Sequence, residues 1–215
     1  DYPDGTVLEN PPWKPTIDWS ASLLPMVTRD GKACTSTDNF TNHGSSLRQA
    51  FGRGVRATVT RAGTVTSNNP RMQVFIHGKE GYDGIGIASY RRQLLLMQKG
   101  STLQSLDICA ADLSSFGVSH PGDDKNIYTF YVDGAVVAKI EIVEDLDQLD
   151  GSQVYIGGYY LSNNVSFGIA ALDVVSAPLP DPVLTDISVS DVTGDGCTVT
   201  VSTNRGDGKL YLSIR

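Results

Sequence analysis

Hydrolases built on β-strands use two carboxylates on one face of one strand, one to protonate the leaving oxygen and one to attack, and alternating acids supply that arrangement. The densest acidic run in this chain is Glu141-Ile-Val-Glu144-Asp145-Leu-Asp147, continuing to Asp150. Glu141 and Glu144 are three residues apart, which sets them on opposite faces of a strand, so Glu144–Asp150 reads as a solvated loop. His43, His77 and His120 each stand away from any G-x-S-x-G or cysteine-based motif and read as structural or surface histidines. The Gly-rich stretch Gly78–Ser89 lacks the Lys-Ser/Thr ending and the following helix of a phosphate loop, and reads as a connection between strands. No enzyme is expected on these grounds, with a polysaccharide hydrolase or lyase as the remote alternative.

Binding chemistry is better represented. Tyr159, Tyr160, Asn163 and Asn164 combine aromatic faces, on which sugar C–H faces stack, with amides that hydrogen-bond hydroxyls. The alternative is that the tyrosines are ordinary rim residues of a sandwich. Asp123, Asp124 and Asn126, with Asp83 brought near by the fold, offer hard oxygen donors of the kind Ca²⁺ takes. No EF-hand-type spacing accompanies them, and a plain acidic turn is the competing reading. No other cofactor is expected. Trp13 and Trp19 lie among five of the ten prolines within residues 1–26. Proline removes backbone donors and fixes φ, so this segment is expected to be extended. Its tryptophans are expected either to contact an assembly partner or to enter the chain's own core as a strand.

The elements that must position these residues are short strands. With 215 residues, 40% hydrophobic and 19% charged, the chain has a globular composition and enough length for a sizeable core. The net charge of −7 and the lack of a basic stripe argue against a nucleic-acid partner. No apolar run is long enough to span a membrane as a helix. Cys34, Cys109 and Cys197 are widely spaced, form no C-x-x-C, and read as buried reduced thiols. Asp1 opens the chain without a methionine or a signal-like apolar region, which fits a processed chain or a fragment. The sequons at Asn39 and Asn164 matter only in a eukaryotic secretory pathway.

From Leu47 onward β-type runs recur about every ten residues: Val55–Arg61, Arg71–His77, Gly84–Ser89, Gln93–Gln98 and Leu103–Ala110. Asp133-Gly134 is a tight-turn dipeptide joining two longer runs. A two-residue turn pairs Val132 with Ala135, Phe130 with Val137 and Tyr128 with Lys139. The other face, with Ile127, Thr129, Tyr131, Val136, Ala138, Ile140 and Ile142, is the more apolar and is expected on the core. After Leu179 a Pro-rich hinge, residues 180–183, leads to runs at Leu184–Val192, Cys197–Thr203 and Lys209–Ile214.

The order of strand, Asp-Gly hairpin, "YIGG" strand (Tyr155–Gly158) and "FGIAALDVV" strand (Phe167–Val175) resembles concanavalin A-like, laminin-G-like jelly rolls over about residues 45–179. Residues 184–215, "LTDISVSDVTGDGCTVTVSTNRGDGKLYLSIR", resemble the opening half of fibronectin-type-III-like modules of tailed-phage structural proteins. The resemblances imply an all-β antiparallel jelly-roll sandwich at 27–179, preceded by an arm at 1–26 and followed by a partial Ig/fibronectin-III-like domain at 184–215. They further imply a non-enzymatic virion protein, such as a head fibre, decoration protein or tail appendage. Its expected partners are capsid or tail proteins, copies of itself and a host-surface glycan. Its expected place is the virion. The alternative is a carbohydrate-binding or adhesion module of a bacterial surface or secreted protein. Calcium at the sandwich rim is a trait of many laminin-G-like domains and is implied only through that likeness.

Overall fold

The run Arg71-Met-Gln-Val-Phe-Ile-His-Gly78 alternates two sets of side chains that both leave water, which marks a central strand covered on both faces. In the computed structural model it is the middle of a seven-stranded sheet. The structure describes residues 2–15, 24–35, 43–48, 51–63, 71–78, 84–90, 93–108, 114–123, 125–142, 153–159, 168–176, 184–194 and 196–203. Among these there is no helix, and two large antiparallel sheets form a sandwich.

The first sheet runs β1 (Trp13–Pro15), β4 (His43–Leu47), β13 (Gln153–Tyr159), β6 (Arg71–Gly78), β7 (Ile85–Tyr90), β8 (Gln93–Gln98), β9 (Ser101–Leu106). The second runs β12 (Ala135–Glu141), β11 (Ile127–Val132), β10 (Ser115–His120), β5 (Val55–Ala62), β14 (Gly168–Ser176), β3 (Lys32–Cys34), β2 (Val27–Arg29). Met72, Val74, Ile76, Ile87, Leu94 and Leu96 of the first meet Val55, Ala57, Val59, Val118, Tyr128 and Phe130 of the second in one core. Each such side chain, fully buried, contributes about 1.5–3 kcal/mol.

Several expectations change here. Residues 2–15 are not a separate arm. Val7 bridges Val27, Leu8 is buried, and Trp13 pairs with Leu47 at the edge of the first sheet. Trp13 is 7% exposed and belongs to the core, so its ring takes the own-core alternative and leaves little surface for an assembly partner. Trp19 lies outside the described residues. β1 takes the strand alternative, strands β2 to β4 and β10 were not expected from the sequence, and β9 begins two residues before the expected run. Cys34 is buried, and that burial pushes its thiol up from the ordinary value. Cys197, by contrast, is exposed, and Cys109 falls outside the described residues. β15 (Leu184–Ser190) and β16 (Thr198–Thr203) pair with each other as a two-stranded sheet. The third expected run, Lys209–Ile214, lies outside the described residues.

The hairpin at Asp133-Gly134 forms as expected, with φ of 46° and 81° at its two turn residues. Its register does not follow the two-residue turn all the way. Val132 faces Ala135 and Tyr131 faces Val136, but Phe130 faces Ala138 and Tyr128 faces Ile140. Val137 is an extra residue, a β-bulge. One inserted residue exchanges the two faces of everything beyond it. Tyr128, Phe130 and Val132 therefore point into the core, with Ala138 and Ile140 packed beside them. Tyr131 and Thr129 turn outward, opposite to the expectation, and Lys139 turns outward with them.

The "YIGG" strand owes its glycines to Tyr155. A Cβ on Gly157 would collide with the Tyr155 hydroxyl and come within 2.5 Å of its Cζ, and a Cβ on Gly44 of the neighbouring strand would strike the same ring. The ring lies across both glycines, its hydroxyl accepting from Gln73 Nε2 at 2.8 Å and donating to the His43 carbonyl at 3.4 Å.

Two outcomes test this account. Deleting Val137 removes the extra residue but leaves Phe130 opposite Ala138 and Thr129 opposite Lys139, so we expect a folded chain with Lys139 still outside and a stability change of no more than about 1–2 kcal/mol by urea titration. Loss of cooperative unfolding would show that Val137 is not the extra residue of the hairpin. Gly157→Ala should cost about 1–3 kcal/mol through overpacking against Tyr155, and Tyr155→Leu in the same chain should relieve part of that cost.

Candidate functional site

The outward-facing residues of the second sheet line up in a straight row. Val175, Arg56, Ser119, Thr129 and Lys139 face one another in turn across β14, β5, β10, β11 and β12. Each strand contributes one residue because alternation leaves its neighbours, such as Ala57, Val118 and Tyr128, in the core. The bulge at Val137 is what brings Lys139 into this row. Above the row Tyr131 sits half-buried, with the Arg56 guanidinium carbon 4.1 Å from its ring centroid and its hydroxyl 3.0 Å from Ser119 Oγ. Gly117 faces Tyr131 on one side and Thr58 on the other, and it has no room for a side chain there. The row forms the floor of a groove of about 610 Å³, within the size range of small-molecule sites.

One end of the groove is walled by His120, Pro121, Asp123, Lys125 and Ile127. Beneath this wall lies a buried polar cluster. His77 Nε2 donates to the Arg53 carbonyl at 2.8 Å, leaving Nδ1 to accept from the Tyr128 hydroxyl at 2.7 Å. His120 Nε2 donates to the Lys125 carbonyl at 2.7 Å, and its Nδ1 accepts from the Gly122 N–H at 3.1 Å. All four ring nitrogens are thus used by neutral imidazoles. The two rings and Tyr128 pack together with centroids 4.9–5.4 Å apart, His77 edge to face with both partners and His120 tilted against Tyr128. Strand alternation would put His77 on the outer face beside Phe75, but its backbone is left-handed at φ 60° and the ring crosses to Tyr128 of the other sheet. Such a conformation costs on the order of 1–3 kcal/mol and persists where the surroundings hold it. The expectation of structural histidines describes these two.

Burial lowers the pKa of His77 to about 3, and the nearby His120 adds to the effect. Burial lowers that of His120 as well, against the opposing pull of the Lys125 carbonyl and the Asp123 charge. Asp133 behaves differently. Burial works against its charge, but Ser114 and Ser115 donate to Oδ1 at 2.7–2.9 Å and hold its carboxyl below the ordinary value. That contact ties the hairpin turn to the start of β10.

The other outer face, on the first sheet, is closed at its floor. Phe75, Ala88, Met97 and Tyr155 form a second apolar cluster there, and Gln73 between them is only 1% exposed. Tyr159 pairs with Arg71 at the end of β13, while Tyr160, Asn163 and Asn164 lie outside the described residues, so the expected sugar loop is not on view. Of the expected calcium set, Asp83 and Asp124 are likewise outside. Asp123 lines the groove, where its Oδ1 accepts from the Lys125 N–H at 3.1 Å in an acidic turn. Asn126 is half-buried behind it, its carbonyl accepting from Ile142 N–H at 2.8 Å. Among the described residues no three His, Cys, Asp or Glu side chains converge as a metal site would need. Glu141 is exposed opposite Ile127, and Glu144–Asp150 falls outside the described residues.

Arg56, Ser119, Tyr131 and Lys139 were not singled out from the sequence. They come from four strands, and their one signal is the polar half of each alternation, as in Arg56/Thr58/Thr60 and Thr129/Tyr131.

No protein-family model and no curated protein matches the chain. Solved structures match it in fold. One comes from work on the endo-acting O-glycanases that prominent members of the human gut microbiota express to initiate mucin breakdown. It is 11% identical, has a TM-score of 0.53, and covers 83% of this chain and 97% of its own. The carbohydrate recognition domain of Emp46p, in its potassium-bound form, is 12% identical with a TM-score of 0.51, covering 80% of this chain and 95% of its own. That of Emp47p is 13% identical with a TM-score of 0.51, covering 82% and 100%. The shared feature is the concanavalin A-like jelly roll. These matches lend no support to a fibronectin-like module or to a virion protein.

The histidine cluster makes a pH prediction. Unfolded imidazoles protonate near 6.5, whereas His77 stays neutral toward pH 3 and burial depresses His120 in the same direction. The folded pKa values are depressed, so below 6.5 the unfolded chain binds more protons and stability falls with pH. It should be flat above about 6.5 and then decline by up to roughly 1.4 kcal/mol per pH unit for each histidine. Urea titrations across that window measure the decline. An NMR titration showing His77 protonating near 6.5 in the folded protein would contradict the cluster.

Proposed function

We propose that this chain is a carbohydrate-binding module that holds a glycan in the groove on the outer face of its second sheet. The observation that carries the reading is the stack of Arg56 on Tyr131. The pair sets an aromatic ring and a guanidinium beside the hydroxyls of Ser119 and Thr129, on the open side of a lectin-like jelly roll. Sugar rings present apolar C–H faces ringed by hydroxyls, and this arrangement offers both kinds of contact. The fold is the one in which the Emp46p and Emp47p carbohydrate recognition domains are built.

Binding is favoured over catalysis because the described groove lining holds Asp123 alone among carboxylates, and one of its oxygens is already engaged by the turn. This reading takes the place of the virion role as the leading one. The virion role draws on the Trp/Pro segment, the reduced cysteine usage and residues 184–215, whose described strands are the pair β15–β16. Attachment to a cell surface through such a glycan is the setting the module would suit.

A glycan array followed by titration calorimetry on the whole chain tests the proposal. Tyr131→Ala should weaken binding at least fivefold, with little change in melting temperature because the ring is on the open face. Tyr131→Phe keeps the stack, loses the Ser119 contact, and should fall between. Unchanged affinity in Tyr131→Ala would place the glycan elsewhere, with the Tyr159–Asn164 segment next to be tested.

A further inference from the structure

We infer that the saccharide this groove takes is an acidic one, bearing carboxylate or sulfate groups that Arg56 and Lys139 grip at two points. The inference rests on the glycan-binding reading and adds the charge of the ligand to it. The chain as a whole is acidic at −7, yet the groove is lined by three cations, Arg56, Lys125 and Lys139, against one carboxylate, Asp123. A local reversal of sign on an acidic protein draws anions to that place and repels them elsewhere. Among the described residues none of the three cations forms an ion pair; the pair found there, Lys32 with Asp30, is distant in the fold.

The geometry favours groups with two or three oxygens. The Arg56 guanidinium carbon sits 4.1 Å from the Tyr131 ring centroid, a contact that holds the guanidinium over the ring, and its fork of N–H donors matches a carboxylate or sulfate edge. Lys139 stands in the same row three strands away, about 14 Å at the usual strand spacing. Ser119 and Thr129 lie between, on the floor, where neutral hydroxyls of a sugar would meet them. Two cations spaced along a hydroxyl-lined row suit a short oligosaccharide with anionic groups on separate residues, and a single small anion would leave one of them unused. The bulge at Val137 supports the assignment, since an unbulged pairing of the same residues would turn Lys139 to the core.

The test is calorimetric titration of the whole chain with four probes of matched concentration. These are a neutral oligosaccharide, an oligogalacturonate, a sulfated heparin-derived oligosaccharide, and inorganic sulfate, each at low and high salt. We expect at least one acidic oligosaccharide to bind tenfold or more tightly than the neutral one, with affinity falling as salt rises. The galacturonate and sulfated arms tell carboxylate from sulfate recognition. Arg56→Gln and Lys139→Gln should each weaken acidic binding about five- to tenfold, flatten the salt dependence, and leave the melting temperature unchanged. Equal, Tyr131-dependent binding of neutral and acidic sugars would overturn the charge inference and leave the glycan reading standing. No saccharide binding in any arm would overturn both. Sulfate binding as tightly as the sugars, insensitive to Tyr131→Ala, would reduce the groove to an anion site and overturn both as well.

Discussion

Strand alternation has a period of two, so a single inserted residue decides what a hairpin shows to the core and what it shows to water. In this chain that residue is Val137. Its bulge sets Tyr128, Phe130, Ala138 and Ile140 against the opposite sheet and leaves Thr129, Tyr131 and Lys139 outside. The core of the second sheet's edge and the floor of its groove are two results of one register. Asp133 at the hairpin tip holds that register from the other end, through its contacts to Ser114 and Ser115.

The groove in turn stands on the histidine cluster. Its wall, which includes Pro121, Asp123 and Lys125, is fastened from beneath by His120, whose two nitrogens hold Lys125 and Gly122, and His120 packs on His77 and Tyr128. Neutral imidazoles can do this only where water is excluded, and here the sandwich end excludes it. A polar network of this kind is stabilising because every nitrogen has a partner, and removing one partner would leave a buried acceptor or donor at a cost of about 1–3 kcal/mol. The two faces of the molecule differ accordingly. The first sheet buries an aromatic layer around Tyr155, while the second keeps its polar row open.

Much of the fold was legible because local chemistry and tertiary structure agree there. Asp133-Gly134 adopts the positive φ angles its residue types tolerate, and the runs at 55–61, 71–77, 84–89 and 93–98 are strands within a residue or two. The all-β sandwich follows from their spacing. What was not legible depends on contacts between distant segments. The bulge leaves no mark in the residues around it, since Val137 looks like any strand valine, and so the outward turn of Tyr131 was missed. Ser115–His120 has two serines and a glycine and earns its strand by pairing with β5 and β11. Trp13 amid prolines leaves arm and strand both open, and its pairing with distant Leu47 decides for an edge strand. The groove escaped notice for the same reason, its residues being gathered from separate strands by register alone.

The most direct test of the central claim is an amide NMR titration of the intact chain with an acidic oligosaccharide. The account predicts shift changes concentrated at Arg56, Ser119, Thr129, Tyr131 and Lys139, with the first sheet around Gln73 and Tyr155 unmoved. Changes confined to the first sheet, or to residues 159–164, would contradict it.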